Sequence, residues 1–126
     1  MLKMGFKQLL AEANQAVASL SAQEAQGLLG RPDVVFVDVR ESQEYAQGHV
    51  PGAVHAPRGF LEFIADPESP MHKPELGSGK RLIVYCASGG RSALASKALQ
   101  DMGVPNITNL AGGFNAWSQG GGKVER

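Results

Sequence analysis

Two stretches of the chain are almost unbroken in apolar residues, most of them β-branched or aromatic. One is Val34-Val35-Phe36-Val37-Asp38-Val39; the other is Leu82-Ile83-Val84-Tyr85-Cys86. Runs of this length and make-up suit strands buried on both faces, as in a parallel sheet. Around them the apolar spacing becomes helical. Residues 92–103 put Leu94, Ala95, Ala98, Leu99 and Met102 on one face, with Gly103 to end the helix and Pro105 to block its extension. Residues 5–17 do the same more weakly through Phe6, Leu9, Leu10, Ala13 and Val17, which predicts a helix lying across the domain surface. Ser21 and Glu24 match a capping box, and Gly30 stands where that helix would end. Residues 41–48 read as a short helix, 53–56 as a brief strand and 60–65 as one or two helical turns. Residues 106–110 read as a last strand and 112–119 as a last helix. Strands alternating with helices predict an α/β sheet covered on both faces.

The same pattern divides the chain into an N-terminal helical extension (1–18), a main domain (19–120) and a flexible tail (121–126). Residues 66–80 hold three prolines and two glycines and predict an irregular loop, either functional or disordered. A length of 126 residues suits one domain able to bury its own core. Twelve basic and twelve acidic residues cancel, without a long run of either sign. That charge pattern gives no reason to expect nucleic acid or an anionic membrane as partner. No segment approaches the roughly 20 apolar residues of a membrane span. The N-terminus lacks the clean apolar stretch of a secretory signal and the arginines of a transit peptide. One cysteine cannot form an internal disulfide, so no oxidising compartment is required. A soluble, cytoplasmic protein is the expectation.

That cysteine, Cys86, carries the candidate chemistry. It follows a buried strand at its carboxyl end, where open α/β sheets bind ligands. A helix is expected to start near Ser92, with five residues in between. Backbone N–H groups at a helix start have no internal partner and favour an anion. A thiolate there has a depressed pKa. Gly89 and Gly90 leave room for the N–H groups of residues 87–91 to curve into a nest, and Arg91 adds a permanent cation with a fork suited to oxyanions. A lone cysteine is most often a small core residue. Here strand, Cys, Gly-Gly, Arg and helix follow in the order that a reactive thiol in an anion cradle needs.

The segment Cys86-Ala87-Ser88-Gly89-Gly90-Arg91-Ser92 resembles the active-site loop of the rhodanese family, the sulfurtransferases. Asp38-Val39-Arg40-Glu41 with Glu44-Tyr45 and Gly48-His49-Val50-Pro51-Gly52-Ala53 is similar to that family's first signature. Leu110-Ala111-Gly112-Gly113 with Ala116-Trp117 is similar to its closing one. The resemblance implies a rhodanese-like fold, a mainly parallel five-stranded sheet with helices on both faces. It implies that Cys86 takes a sulfane sulfur from a small anionic donor such as thiosulfate, becomes a persulfide, and passes the sulfur to a thiol, cyanide or protein acceptor. Ala87, Ser88, Gly89, Gly90 and Arg91 would cradle that sulfur, supported by Ser92, Asp38 and Arg40. No metal or organic cofactor is implied.

Phosphatases and arsenate reductases built on similar loops have five residues between Cys and Arg, whereas four separate Cys86 from Arg91. The shorter ring suits a single sulfur atom better than a phosphate. A sulfur carrier or regulatory module without turnover is the alternative from another class, and a phosphatase or arsenate reductase stands third. Asp38 and Arg40 either brace the loop or form a structural pair with Glu44; the second is favoured because a buried charge needs a partner. His49 is expected to be structural, and His55 and His72 have no companions at metal-ligand spacing. Phe114 and Trp117 are expected in the core of the last helix. Arg58, Phe60 and Phe63 are expected to line an entrance beside the proline-rich loop.

Overall fold

The computed structural model describes residues 1–126. Its elements are α1 (Phe6–Ala16), β1 (Ala18–Leu20), α2 (Ala22–Gln26), β2 (Val34–Asp38), α3 (Ser42–Gln47), β3 (Val54–His55), α4 (Leu61–Ala65), β4 (Arg81–Tyr85), α5 (Gly90–Asp101), β5 (Ile107–Leu110) and α6 (Gly113–Gln119). The strands form one five-stranded sheet in the order β1-β5-β4-β2-β3, and every pairing is parallel. The α/β architecture expected from the alternation of patterns is the one observed.

The two apolar runs form β2 and β4, which pair with each other near the middle of the sheet. Side chains alternate across a strand. Leu82, Val84 and, one step past β4, Cys86 therefore join a core with Leu61, Ile64, Leu76 and Leu99. Ile83 and Tyr85 join the opposite core with Ala25, Phe36, Val50 and Trp117. Helices α4 and α5 close the first face, and α2 and α6 close the second. The Trp117 ring is fully buried and meets Phe36 edge-on, with centroids 5.5 Å apart.

Several details differ from the sequence pattern. β1 was not expected: its three residues bury only Leu20, and it exists through pairing with β5. The inner face of α5 is made by Ser92, Ala93, Ala95, Ser96 and Leu99, whereas Met102 is exposed. Two buried serines thus occupy a face that hydropathy assigns to longer apolar side chains. α1 packs on α5 but buries only Ala13, leaving Phe6 and Leu9 exposed. Residues 66–80 are packed rather than loose. Leu76 enters the core, the Lys73 N–H and the His72 ring bind the Ile64 carbonyl, and Asn106 donates to the Gly79 carbonyl. At the C-terminus, where the composition predicts a flexible tail, Glu125 exchanges backbone hydrogen bonds with His49, and Trp117 Nε1 donates to the Lys123 carbonyl at 2.8 Å. No helix is long and apolar enough to cross a membrane.

Trp117→Ala should lower the unfolding free energy by about 3–5 kcal/mol, the usual cost of emptying a large aromatic site. Urea unfolding measures it. A loss below about 1 kcal/mol would show that the α6 face is not part of the cooperative core.

Candidate active site

Cys86 lies one residue beyond β4, and the parallel register pairs Asp38 with Tyr85. Cys86, Asp38 and Arg40 therefore stand at the same end of the sheet. The loop that follows is shaped by α6. Phe114 N–H donates to the Cys86 carbonyl at 2.8 Å, and Asn115 N–H donates to the Ala87 carbonyl at 3.0 Å. In a trans peptide the C=O and the following N–H point opposite ways. Anchoring both carbonyls on α6 therefore turns the N–H groups of Ala87 and Ser88 away from it, and the Ser88 N–H faces the Cys86 sulfur. Gly89 N–H closes the bowl by donating to Cys86 Sγ at 3.1 Å.

Two glycines make this geometry accessible. Gly89 has φ 113°, in the left-handed region that side chains disfavour. Gly113 has φ 59°, and a Cβ there would come within 2.5 Å of the Cys86 carbonyl oxygen. Gly90 is different from what the sequence suggests. It is the first residue of α5, and a Cβ there would meet open space. The helix begins at Gly90, earlier than the expected start near Ser92. Its first-turn N–H groups therefore come from the loop itself.

Cys86 is only 1% exposed. Burial alone pushes its thiol pKa up. The Ser92 hydroxyl and the N–H groups of Ser92, Gly89 and Ser88 outweigh burial and bring it below the ordinary thiol value. The sulfur thus sits at the bottom of a ring of donors. No group of three or more His, Cys, Asp or Glu side chains could hold a metal ion.

Arg91 is not an isolated cation at the rim. Its guanidinium donates to both oxygens of Glu44, at 2.8 and 3.0 Å. That fork holds the Glu44 carboxyl at about 2, far below its ordinary range. Glu44 therefore belongs with Arg91, whereas the sequence reading placed it with Asp38 and Arg40. Those two form their own buried pair. Arg40 donates to Asp38 at 2.7 Å and, at the same distance, to the Gly48 carbonyl. Its guanidinium also lies 4.4 Å from the Phe114 ring centre. The pair ties the end of β2 to the end of α3 and makes no hydrogen bond to the Cys86 loop.

The remaining expected residues separate cleanly. His49 stacks on Tyr45 with centroids 3.8 Å apart, and its ring nitrogens meet the Tyr45 carbonyl and the Glu125 carboxylate. His55 and His72 are occupied by the carbonyls of Arg40 and Ile64. Trp117 is core, and Phe114 is half-buried beneath Arg40. Arg58 pairs with Glu62, while Phe60 and Phe63 are exposed. None of these three lines either cleft flanking the Cys86 loop, although the Arg58 N–H donates to the Val39 carbonyl and the turn 58–60 packs on α5. Sequence reasoning gave no role to Asn109, which is buried against Ser92 with their side-chain oxygens 2.6 Å apart. Its position on an apolar strand was the available signal.

A sequence model of the rhodanese-like domain matches residues 21–120. The chain belongs to the rhodanese-like family. Its relatives include the thiosulfate:glutathione sulfurtransferase of Saccharomyces cerevisiae, 37% identical over 117 residues, or 86% of this chain and 84% of the yeast protein. The chloroplastic thiosulfate sulfurtransferase 16 of Arabidopsis thaliana is 32% identical over 116 residues, or 89% of this chain and 96% of that one. Among solved structures, a Rhodopseudomonas palustris protein of unknown function, described as a possible tyrosine phosphatase, aligns with a TM-score of 0.94. It is 42% identical and covers 99% of this chain and 97% of its own. The rhodanese-like domain and the relatives named as sulfurtransferases support sulfur transfer as the general activity.

Gly113→Ala should cost about 1–3 kcal/mol of stability through forced overlap with the loop backbone. It should also slow alkylation of Cys86 at neutral pH. Unchanged values in both urea unfolding and alkylation would contradict the role given to this contact. Glu44→Gln should lower stability by an amount that depends on pH. A carboxyl held at about 2 in the fold, against 4.5 ordinarily, stabilises fully above about pH 5 and stops doing so as pH falls through its folded value. The gap between wild type and Glu44→Gln should therefore be constant above about pH 5 and close toward pH 2. A gap independent of pH would remove the ion pair as its source.

Proposed function

We propose that this rhodanese-like protein is a sulfurtransferase working through a persulfide on Cys86, with thiosulfate or a similar small anionic sulfane-sulfur compound as donor. The observation that carries the reading is the Gly89 N–H aimed at Cys86 Sγ at 3.1 Å within a ring of only four residues before Arg91. The thiolate attacks the outer sulfur of thiosulfate. A new S–S bond forms, the old one breaks, and sulfite leaves with the bonding electron pair. The amides that lower the thiol pKa then face the anionic terminal sulfur and stabilise it. An acceptor thiolate attacks that sulfur, and Cys86 leaves as thiolate. Electrons and atoms balance without a redox cofactor. The chain has no second cysteine to take the sulfur internally. The acceptor is therefore external: a thiol such as glutathione, cyanide, or a protein thiol.

The Arg91 side chain is 40% exposed and keeps N–H groups beyond those on Glu44 for the incoming anion. A phosphatase reading is disfavoured by the same pair. Its leaving group needs a general acid, and the carboxylate on Arg91 is ionised far below neutrality.

Mass spectrometry after incubation with thiosulfate should show a gain of about 32 Da on Cys86, one sulfur atom held covalently. Cyanide should reverse it and Cys86→Ser should abolish it. No gain, together with phosphate release from an aryl phosphate, would overturn the reading. Arg91→Ala should reduce the use of thiosulfate at least tenfold more than the use of an uncharged persulfide donor, since only the former loses a charge-assisted contact. Equal losses would show that Arg91 does not guide the anion.

A further inference from the structure

Arg91 is the one charged side chain in the loop from Cys86 to Ser92. Its two Nη groups each donate to one oxygen of Glu44, at 2.8 and 3.0 Å. Glu44 is fixed from its own side as well, because the Glu41 N–H donates to Oε1 at 3.0 Å. The carboxylate stays ionised throughout the neutral range. The pair therefore carries no net charge. Its side chains are 40% and 34% exposed, and ion pairs this open add little to folding. The larger consequence falls on what approaches the sulfur. A bare Arg91 would place a full positive charge at the rim, and the pair places none. Coulomb energy scales with the charge of the approaching molecule. The difference acts twice over on a dianion, once on a monoanion and not at all on a neutral reagent.

We propose that Glu44 is a specificity-determining residue: by covering Arg91 it strips the rim of net positive charge and turns Cys86 toward sulfane-sulfur donors with one negative charge, such as persulfides and thiosulfonates, over the dianion thiosulfate. Of the five N–H groups of Arg91, two lie on Glu44 and three remain for a donor. A hydrogen-bonded contact with an anion thus survives, while the net attraction does not. With a thiosulfonate the step keeps its balance. The Cys86 thiolate attacks the outer sulfur, a new S–S bond forms, the old one breaks, and sulfinate leaves with the electron pair.

The other pairs at this end of the sheet are closed in the same way. Arg40 lies on Asp38, and Arg58, which follows the end of β2 through its N–H to the Val39 carbonyl, lies on Glu62. Glu41, Lys73 and Arg126 make no ion pair. All of these stay constant in the variants below. The assignment of donors rests on the persulfide reading, but the effect of Glu44 on charge is measurable without any sulfur donor.

Alkylation of Cys86 by iodoacetate and by iodoacetamide measures it. The two reagents are nearly alike in shape and differ by one charge, so the ratio of their rates cancels changes in thiol pKa and in access. At about 10 mM salt, where screening is weak, Glu44→Gln should raise the iodoacetate to iodoacetamide ratio about fivefold, as expected for one charge removed at roughly 7 Å in a half-exposed site. Arg91→Ala should lower the ratio by a similar factor. The double variant lacks both charges and should return to the wild-type ratio. A residue that merely orients Arg91 gives the opposite sign: Glu44→Gln would then resemble Arg91→Ala, and the proposal would be overturned. An unchanged ratio would overturn it too. Glu44→Ala removes the same charge and serves if the glutamine variant does not fold. Sulfur uptake followed by mass spectrometry reads the donor class. Glu44→Gln should speed uptake from thiosulfate about fivefold more than uptake from methanethiosulfonate, which carries one charge fewer. Equal gains with both would refute the assignment of donors. Uptake from neither donor would refute the persulfide reading alone, with the alkylation ratios still deciding for or against the action of Glu44.

Discussion

The site depends on the direction of two peptide planes. The carbonyls of Cys86 and Ala87 are held by N–H groups in the first turn of α6, and this turns the opposite edges of the same peptides away from that helix, the Ser88 N–H toward the sulfur. The contact is so close that a side chain at Gly113 would occupy the space of the Cys86 carbonyl. α6 is fixed in turn by Trp117, which is buried against Phe36 of the central strand β2. A core packing contact on one face of the sheet thereby orients the donors around a sulfur belonging to the core of the other face.

The electrostatics follow from this arrangement. Burying a thiolate is unfavourable, and here burial is the largest influence on Cys86. It is overcome by several short-range dipoles, while the one nearby cation, Arg91, shares its charge with Glu44. A bowl lined by dipoles makes its stabilisation available to whatever anion occupies it, whether thiolate or terminal persulfide sulfur. The Asp38–Arg40 pair is self-contained and bonded onward to Gly48, so it supports the framework rather than the sulfur.

What could be read from the residues alone reflects how local each feature is. β2 and β4 are central strands with both faces covered, so their burial is written as continuous apolar runs. The Cys86 loop is contiguous in sequence, and its Cys, Gly89 and Arg91 could be read together. The edge strand β1 could not, because its three residues become a strand only by pairing with β5, about ninety residues away. The same applies to Glu44 with Arg91 and to Asn109 with Ser92: each partner is ordinary until the fold brings the other to it. The inner face of α5 was misjudged because small and polar side chains, Ser92 and Ser96, pack where the helix approaches the sheet closely. Gly90 was credited with a need for glycine that belongs to Gly89 and Gly113.

The most direct test is a pH titration of Cys86 thiolate absorbance in the folded protein, with Cys86→Ser as blank and the denatured chain as reference. The account predicts a folded midpoint below that of the denatured chain, whose thiol should ionise near the ordinary value of about 8.5. A folded midpoint at or above the denatured one would mean that burial outweighs the ring of amides, and the central claim would be wrong.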